Sequence, residues 1–511
     1  MAIIPSGVQF IGISPSIDLT EKKSSQVNAD TQPYTMQDII DTAGGNDGSL
    51  QIDGEVTIDG TLRYVVDKDG TKSPLLLSTT SVSNYGGTTD DTNVAFGKDA
   101  LINPNASGSN TAIGLGALQN NEDYACTAVG AYALNNSQYS SYSTAVGSWA
   151  LEALTTGQAN TAVGTSALNS SQTGSYSTAV GVNALLNSLG NSNTAIGHSA
   201  GQNLTTGLFN TAVGMNSMRY GTSTGSNNTG VGYLSLANNT ASNNTAVGYE
   251  AAYSNTSGDV TAVGYQALRN STGGNNSAFG YRALFNNTTG TYNQAFGRQA
   301  LSANQAGTRN NAFGWGALGV NVNGGRNVAV GFQSLYSNTA SDNTAVGHEA
   351  ALSNTSGTGL TALGWRTLYN NTASNNTAVG YEAAYSNTSG TEIVAVGYQA
   401  LRANTGTGNT ALGYSSMLST TIGAANTAIG RFAMSANTSG SNNTAIGAYT
   451  DSGNFSTSVM LGRGATATAS NQFVVGSVAY NAGTVTNAPA TQTHYWTVKI
   501  NGTDYKILLS T

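Results

Sequence analysis

Residues 239–258 read NTASNNTAVGYEAAYSNTSG, and the same twenty letters return at 371–390. At the centre of each copy stands Asn-Thr-Ala-Val-Gly, and that pentapeptide, with variations, marks time along most of the chain. The glycines that end each Ala-apolar-Gly triplet fall at 97, 114, 130, 147, 164, 181, 197, 214, 232, 248, 264, 280, 297, 314, 331, 347, 364, 380, 397, 413, 430 and 447. They are 16 or 17 residues apart, once 18. Weaker anchors follow at Gly462 and Gly476. Such self-similarity at a fixed short period is the mark of a repeat architecture. The period is too short for helix-turn-helix repeats and too long for heptads, and it is broken by Gly and polar turns, which leaves the coil of a β-roll.

Aligned on the glycine, the columns carry the physics. Two residues before it stands Ala in 21 of 22 coils, with Gly230 the exception, and one before it is always apolar, mostly Val. Three after it the residue is small, and four after it is Leu in 14 coils and Met in three. Two short apolar strands per coil are expected from these clusters, with Val and Leu filling a thin core. The small columns would then form a flat outer face suited to packing against identical chains. The glycines, Gly114, Gly130, Gly147, Gly164, Gly181, Gly248, Gly264 and Gly380 among them, suit a corner that a Cβ would block. Asn four before the glycine, in 16 of 22 coils, suits a corner cap or an amide ladder. Coils pairing at about 4.8 Å would make a rod of roughly 100 Å.

Composition agrees with a fibrous chain and speaks against an enzyme. Only 8% of the 511 residues are charged, Gly numbers 64, and net charge is −7. Six Pro and 25 Tyr separate this bias from that of a disordered linker. One cysteine, Cys126, excludes an intramolecular disulfide framework, and three histidines far apart in sequence suggest no metal or catalytic cluster. Scattered cations and a pI near 4.9 argue against nucleic acid as a partner. The first residues lack the pattern of a signal peptide and no run of 18 apolar residues occurs, so no membrane insertion is expected. No cofactor is implied.

The sequence divides into 1–48, an attachment segment containing TMQDIIDTAG (35–44) with the bounds of a short helix; 49–92, a small β connector; 93–476, the repeat shaft; and 477–511, whose YWTVKINGTDYKILL (495–509) reads as a β-hairpin cap around Asn501-Gly502.

The column set Asn-Thr-Ala-Val-Gly-x-x-Ala-Leu resembles the head repeats of YadA-type trimeric autotransporter adhesins, which implies a left-handed parallel β-roll of about 22–24 coils packed as a homotrimer. The whole order, TMQDIIDTAG, the Ile-Asp-Gly element, the array and the closing WTVKINGTDYKILL, is similar to virion fibre proteins of tailed phages, especially phages of cyanobacteria and other aquatic bacteria. That resemblance implies a homotrimeric fibre on tail, neck or head, docked on virion proteins through its N-terminal segment and exposed on the particle. A bacterial surface adhesin or extracellular filament subunit is the alternative.

The residue after the glycine is the candidate contact column: Tyr233, Tyr249, Tyr265, Tyr281, Arg298, Trp315, Phe332, His348, Trp365, Tyr381, Tyr398 and Tyr414. Aromatic faces stack on sugar rings, and repetition gives weak contacts avidity, which points to a host-surface glycan. Rings that merely stabilise neighbouring coils are the plainer reading, and the one favoured. Asp67-Lys-Asp-Gly starts like a calcium loop but lacks the later acidic ligands. Glu250, Glu349 and Glu382 recur with the repeat and read as solvated edge residues.

Overall fold

The computed structural model describes residues 93–477 apart from 104, 222 and 223, together with residue 479 and the strands Val8–Phe10, Arg63–Asp67, Lys72–Leu77, Tyr495–Ile500 and Thr503–Leu508. The expected helix at 35–44 lies outside the described residues. Every element among the described residues is a strand, and the repeat region is a parallel β-solenoid.

Two compact units divide between Val247 and Gly248. The first holds a ladder of ten three-residue strands, from Val94–Phe96 to Thr245–Val247. The second holds fourteen, from Thr261–Val263 to Phe473–Val475. Within each unit, neighbouring strands pair in parallel and in register, Thr on Thr, Ala on Ala and Val on Val, as in Thr144–Val146 on Thr161–Val163. The first unit also contains an antiparallel sheet in which Arg63–Asp67 pairs with Val8–Phe10 and Lys72–Leu77. In the second, Tyr495–Ile500 pairs antiparallel with Thr503–Leu508, Ile500 opposite Thr503 across 501–502.

The Thr-Ala-Val triplet forms a strand because β-branched residues fit the pleated surface, and alternation then sends Ala to one side and Thr and Val to the other. The side each takes reverses the expectation from sequence. Ala112, Ala128, Ala145 and their equivalents are fully buried, whereas Val163, Ile196, Phe313 and Leu412 are 37, 44, 37 and 46% exposed. Both small columns, Ala two before and Ala three after the glycine, face inward beside the buried Leu. A single-chain coil is narrow, so Leu from the far side leaves room for no more than a methyl on the strand wall. The small columns therefore build the core, and the branched apolar column is the one turned outward.

One strand forms per coil, not two. The Ala-Leu segment runs as tight turns, because its Leu has φ near +50° (Leu268 +51°, Leu318 +52°), which no strand permits. Left-handed residues recur two and four after the glycine and five before it, for example Gln266, Leu268 and Asn275. Each costs roughly 1–2 kcal/mol. Neighbouring coils offset this by capturing the backbone: Gln266 N–H donates to Tyr249 O at 2.8 Å and Leu268 N–H to Ala283 O at 3.0 Å. A coil of this shape is stable only in a stack.

Candidate binding surfaces

The corner glycines set the geometry from which every surface column hangs. Gly114 has φ +131°, and a Cβ there would lie 2.5 Å from Gly130 O; at Gly264, φ is +135° and the approach to Gly280 O is 2.6 Å. Gly130, Gly147, Gly164, Gly181, Gly248 and Gly380 share φ between +132° and +137°. Each corner thus brings the next residue to one edge of the coil in the same orientation.

Inside the corners run two asparagine ladders. In the column four before the glycine, Asn310 N–H donates to Asn293 Oδ1 at 3.0 Å, while Asn310 Nδ2 donates to Gly324 O at 2.8 Å in the next coil. The amide thus serves backbone groups that no strand reaches. The second ladder, seven after the glycine, escaped the sequence reading. Asn304 Nδ2 donates to Asn287 Oδ1 at 2.7 Å and Asn321 Nδ2 to Asn304 Oδ1 at 3.1 Å, all three side chains fully buried. Its signal was the recurrent Asn-Thr and Asn-Asn pairs that follow the Leu, which look like polar turn residues when the turn's inside and outside are unknown.

On the aromatic edge, the candidate column becomes stacked rings. Tyr249, Tyr265 and Tyr281 stack at 5.0 and 5.3 Å, with planes within 9°. A longer run joins Trp315 to Phe332 (4.7 Å), Phe332 to His348 (4.8 Å), and, beyond a wider 6.5 Å step, Trp365 to Tyr381 (4.5 Å), Tyr398 (5.0 Å) and Tyr414 (4.9 Å). Tyr233 belongs to the first unit, whose corresponding positions, His198 apart, carry no ring, Leu115, Ser148 and Met215 among them. Within a run the ring faces are turned to one another, so a sugar can reach ring edges along the run and a free face only where the run stops. That geometry favours the stabilising role for the interior rings.

Glu250, Glu349 and Glu382 are not solvated. Their side chains are only 10–13% exposed and pair with Arg269 (2.5 Å), Arg366 (2.5 Å) and Arg402 (2.7 Å). Burial pushes the Glu250 and Glu382 carboxyls up, but the hydrogen bonds from Arg269 and Gln266 to one, and from Arg402 and Gln399 to the other, outweigh it and hold both below the usual carboxylate range. The arginines also lie over rings, Arg269 over Tyr253 at 5.2 Å and Arg366 over Trp365 at 4.3 Å.

A second surface is the outward strand face, where the columns of Thr and Val stand side by side. Phe279, Phe296 and Phe313 replace Val in three successive coils and stack at 4.6 and 4.9 Å. Among the described residues no three His, Cys, Asp or Glu converge to hold a metal ion, and no helix is long and apolar enough to cross a membrane. His494 and most of the 67–70 loop lie outside the described residues. No family model and no curated protein matches the chain.

Proposed function

We propose that this chain is a structural fibre protein of a phage virion, a left-handed β-roll assembled as a homotrimer, anchored to the particle through its N-terminal segment and contacting glycans of the host surface. The observation that carries the assembly is the outward strand face. Its Val, Ile, Leu and Phe are 36–47% exposed in half of the 22 coils and partly exposed in the rest, in columns that no other described part of the chain covers. Contiguous apolar surface marks an interface, and a repeated face is matched best by the same face of another copy. The virion reading takes its support from the resemblance carried by TMQDIIDTAG, the repeat columns and WTVKINGTDYKILL. Electron microscopy of purified particles with an antibody to the 495–508 hairpin tests it: label on particles is expected. Label on bacterial surfaces and none on particles would replace it with the adhesin reading.

A further inference from the structure

Arginine is distributed unevenly. Residues 248–477 carry nine Arg and no Lys against seven Asp and Glu, whereas 93–247 carry one Lys and one Arg against four acids. Seven of those nine, at 269, 282, 298, 366, 402, 431 and 463, lie over rings one, two or five residues after a corner glycine, and an eighth, Arg309, lies over Tyr292 at 5.9 Å. Three of the seven, Arg269, Arg366 and Arg402, are neutralised by their glutamates.

Arg282 and Arg298 differ. Both guanidinium carbons lie near one ring, Arg282 at 5.3 Å and Arg298 at 5.4 Å from the centre of Tyr281. Arg282 Nε donates to the neutral Gln266 Oε1 at 2.9 Å, Arg298 is exposed, and no carboxylate among the described residues pairs with either. Here, too, the ring column is interrupted, because Arg298 takes the place of the next aromatic after Tyr281. Two uncompensated forks beside an aromatic surface form a site for an anion attached to a body that packs on rings. Guanidinium matches the geometry of carboxylate and sulfate bidentately, and the ring offers a face or edge to apolar C–H groups. Farther along, Arg431 and Arg463 also lie over Tyr449, at 5.7 and 5.8 Å.

We infer that the Arg282–Tyr281–Arg298 cluster binds an acidic polysaccharide through a carboxylate or sulfate group. This inference rests on the reading of the aromatic edge as a glycan-contacting surface and specifies the glycan's charge. The probe is dextran sulfate, titrated calorimetrically into the intact full-length protein, with uncharged dextran and single-stranded DNA as comparators. Binding that weakens with salt is expected, and Arg282→Gln with Arg298→Gln should weaken it by roughly tenfold, about 1.4 kcal/mol. The pair Arg309→Gln with Arg326→Gln removes the same formal charge on another edge, from one arginine over Tyr292 at 5.9 Å and one paired with Asp342 at 2.5 Å, and should leave it unchanged. Arg298→Gln alone, which alters an exposed side chain whose one described contact is a ring, should show a partial loss with an unaltered melting temperature.

Equal loss in both double variants, or equal binding of DNA, would reduce the effect to general charge and overturn the inference. Uncharged dextran bound as tightly, and indifferent to the arginines, would overturn the acidic ligand while leaving glycan contact standing. No binding of either dextran would remove the glycan contact from both readings.

Discussion

At the residue scale, the sense of the strand is what matters most. Alternation in Thr-Ala-Val was legible in sequence, since neighbours on a strand face opposite ways. Which neighbour faced in was not, because hydrophobicity favours Val inside and only the width of the coil forbids it. Ala262→Val should therefore cost about 1–3 kcal/mol by overpacking a filled core. Thr261→Val, one residue away on the outward face, should stay within about 0.5 kcal/mol. Urea unfolding reads both, and the reverse ranking would contradict the facing described here. Cys126 gives a second test. It is fully buried, its Sγ–H donates to Ser140 O at 3.4 Å, and burial pushes the thiol up to about 11. A thiol reagent at neutral pH should leave the folded protein unmodified and react once denaturant is added. Because the folded thiol holds its proton longer than the unfolded one, the stability it contributes is complete below about pH 9 and is lost as pH rises toward about 11.

At the scale of the element, the repeating unit is the column. The glycine, the first Asn column and the aromatic column could all be found by aligning coils, because each is set by a chemical need that recurs at one spacing. The burial of Glu250 and Glu382 and the second Asn ladder could not, since both depend on contacts made across coils by residues that look like turn residues. Asn304→Ala removes a rung from that ladder and leaves Asn287 Oδ1, Gly307 O and Asn321 Nδ2 each short of a buried partner. A loss of about 1–3 kcal/mol is expected. Its place of action can be read by hydrogen exchange, with amides of the adjoining coils exchanging faster and distant coils unchanged. Along the edge, Tyr398 has stacked neighbours on both sides, at 5.0 and 4.9 Å. Tyr398→Ala should cost about 1–3 kcal/mol for the two pairs while Tyr398→Phe costs little, as calorimetric unfolding of each variant would report. A large loss with Phe would instead assign the hydroxyl a bond that matters.

For the whole molecule, periodicity alone predicted a stack of coils, and a parallel β-solenoid is what forms. The face available for assembly is not the one expected from sequence. Sequence placed identical chains against the alanine columns, whereas those columns are the core, and the face left uncovered among the described residues is made of Thr with Val, Ile, Leu and Phe. A single-chain coil lined by alanines buries little, while its outward branched side chains remain partly exposed. Association through that face would bury them and reinforce a thin core at once. The most direct test is the mass of the intact chain by sedimentation equilibrium in native buffer. Three times the 51.9 kDa of one chain is the predicted result, and a species of 51.9 kDa across the accessible concentration range would contradict it.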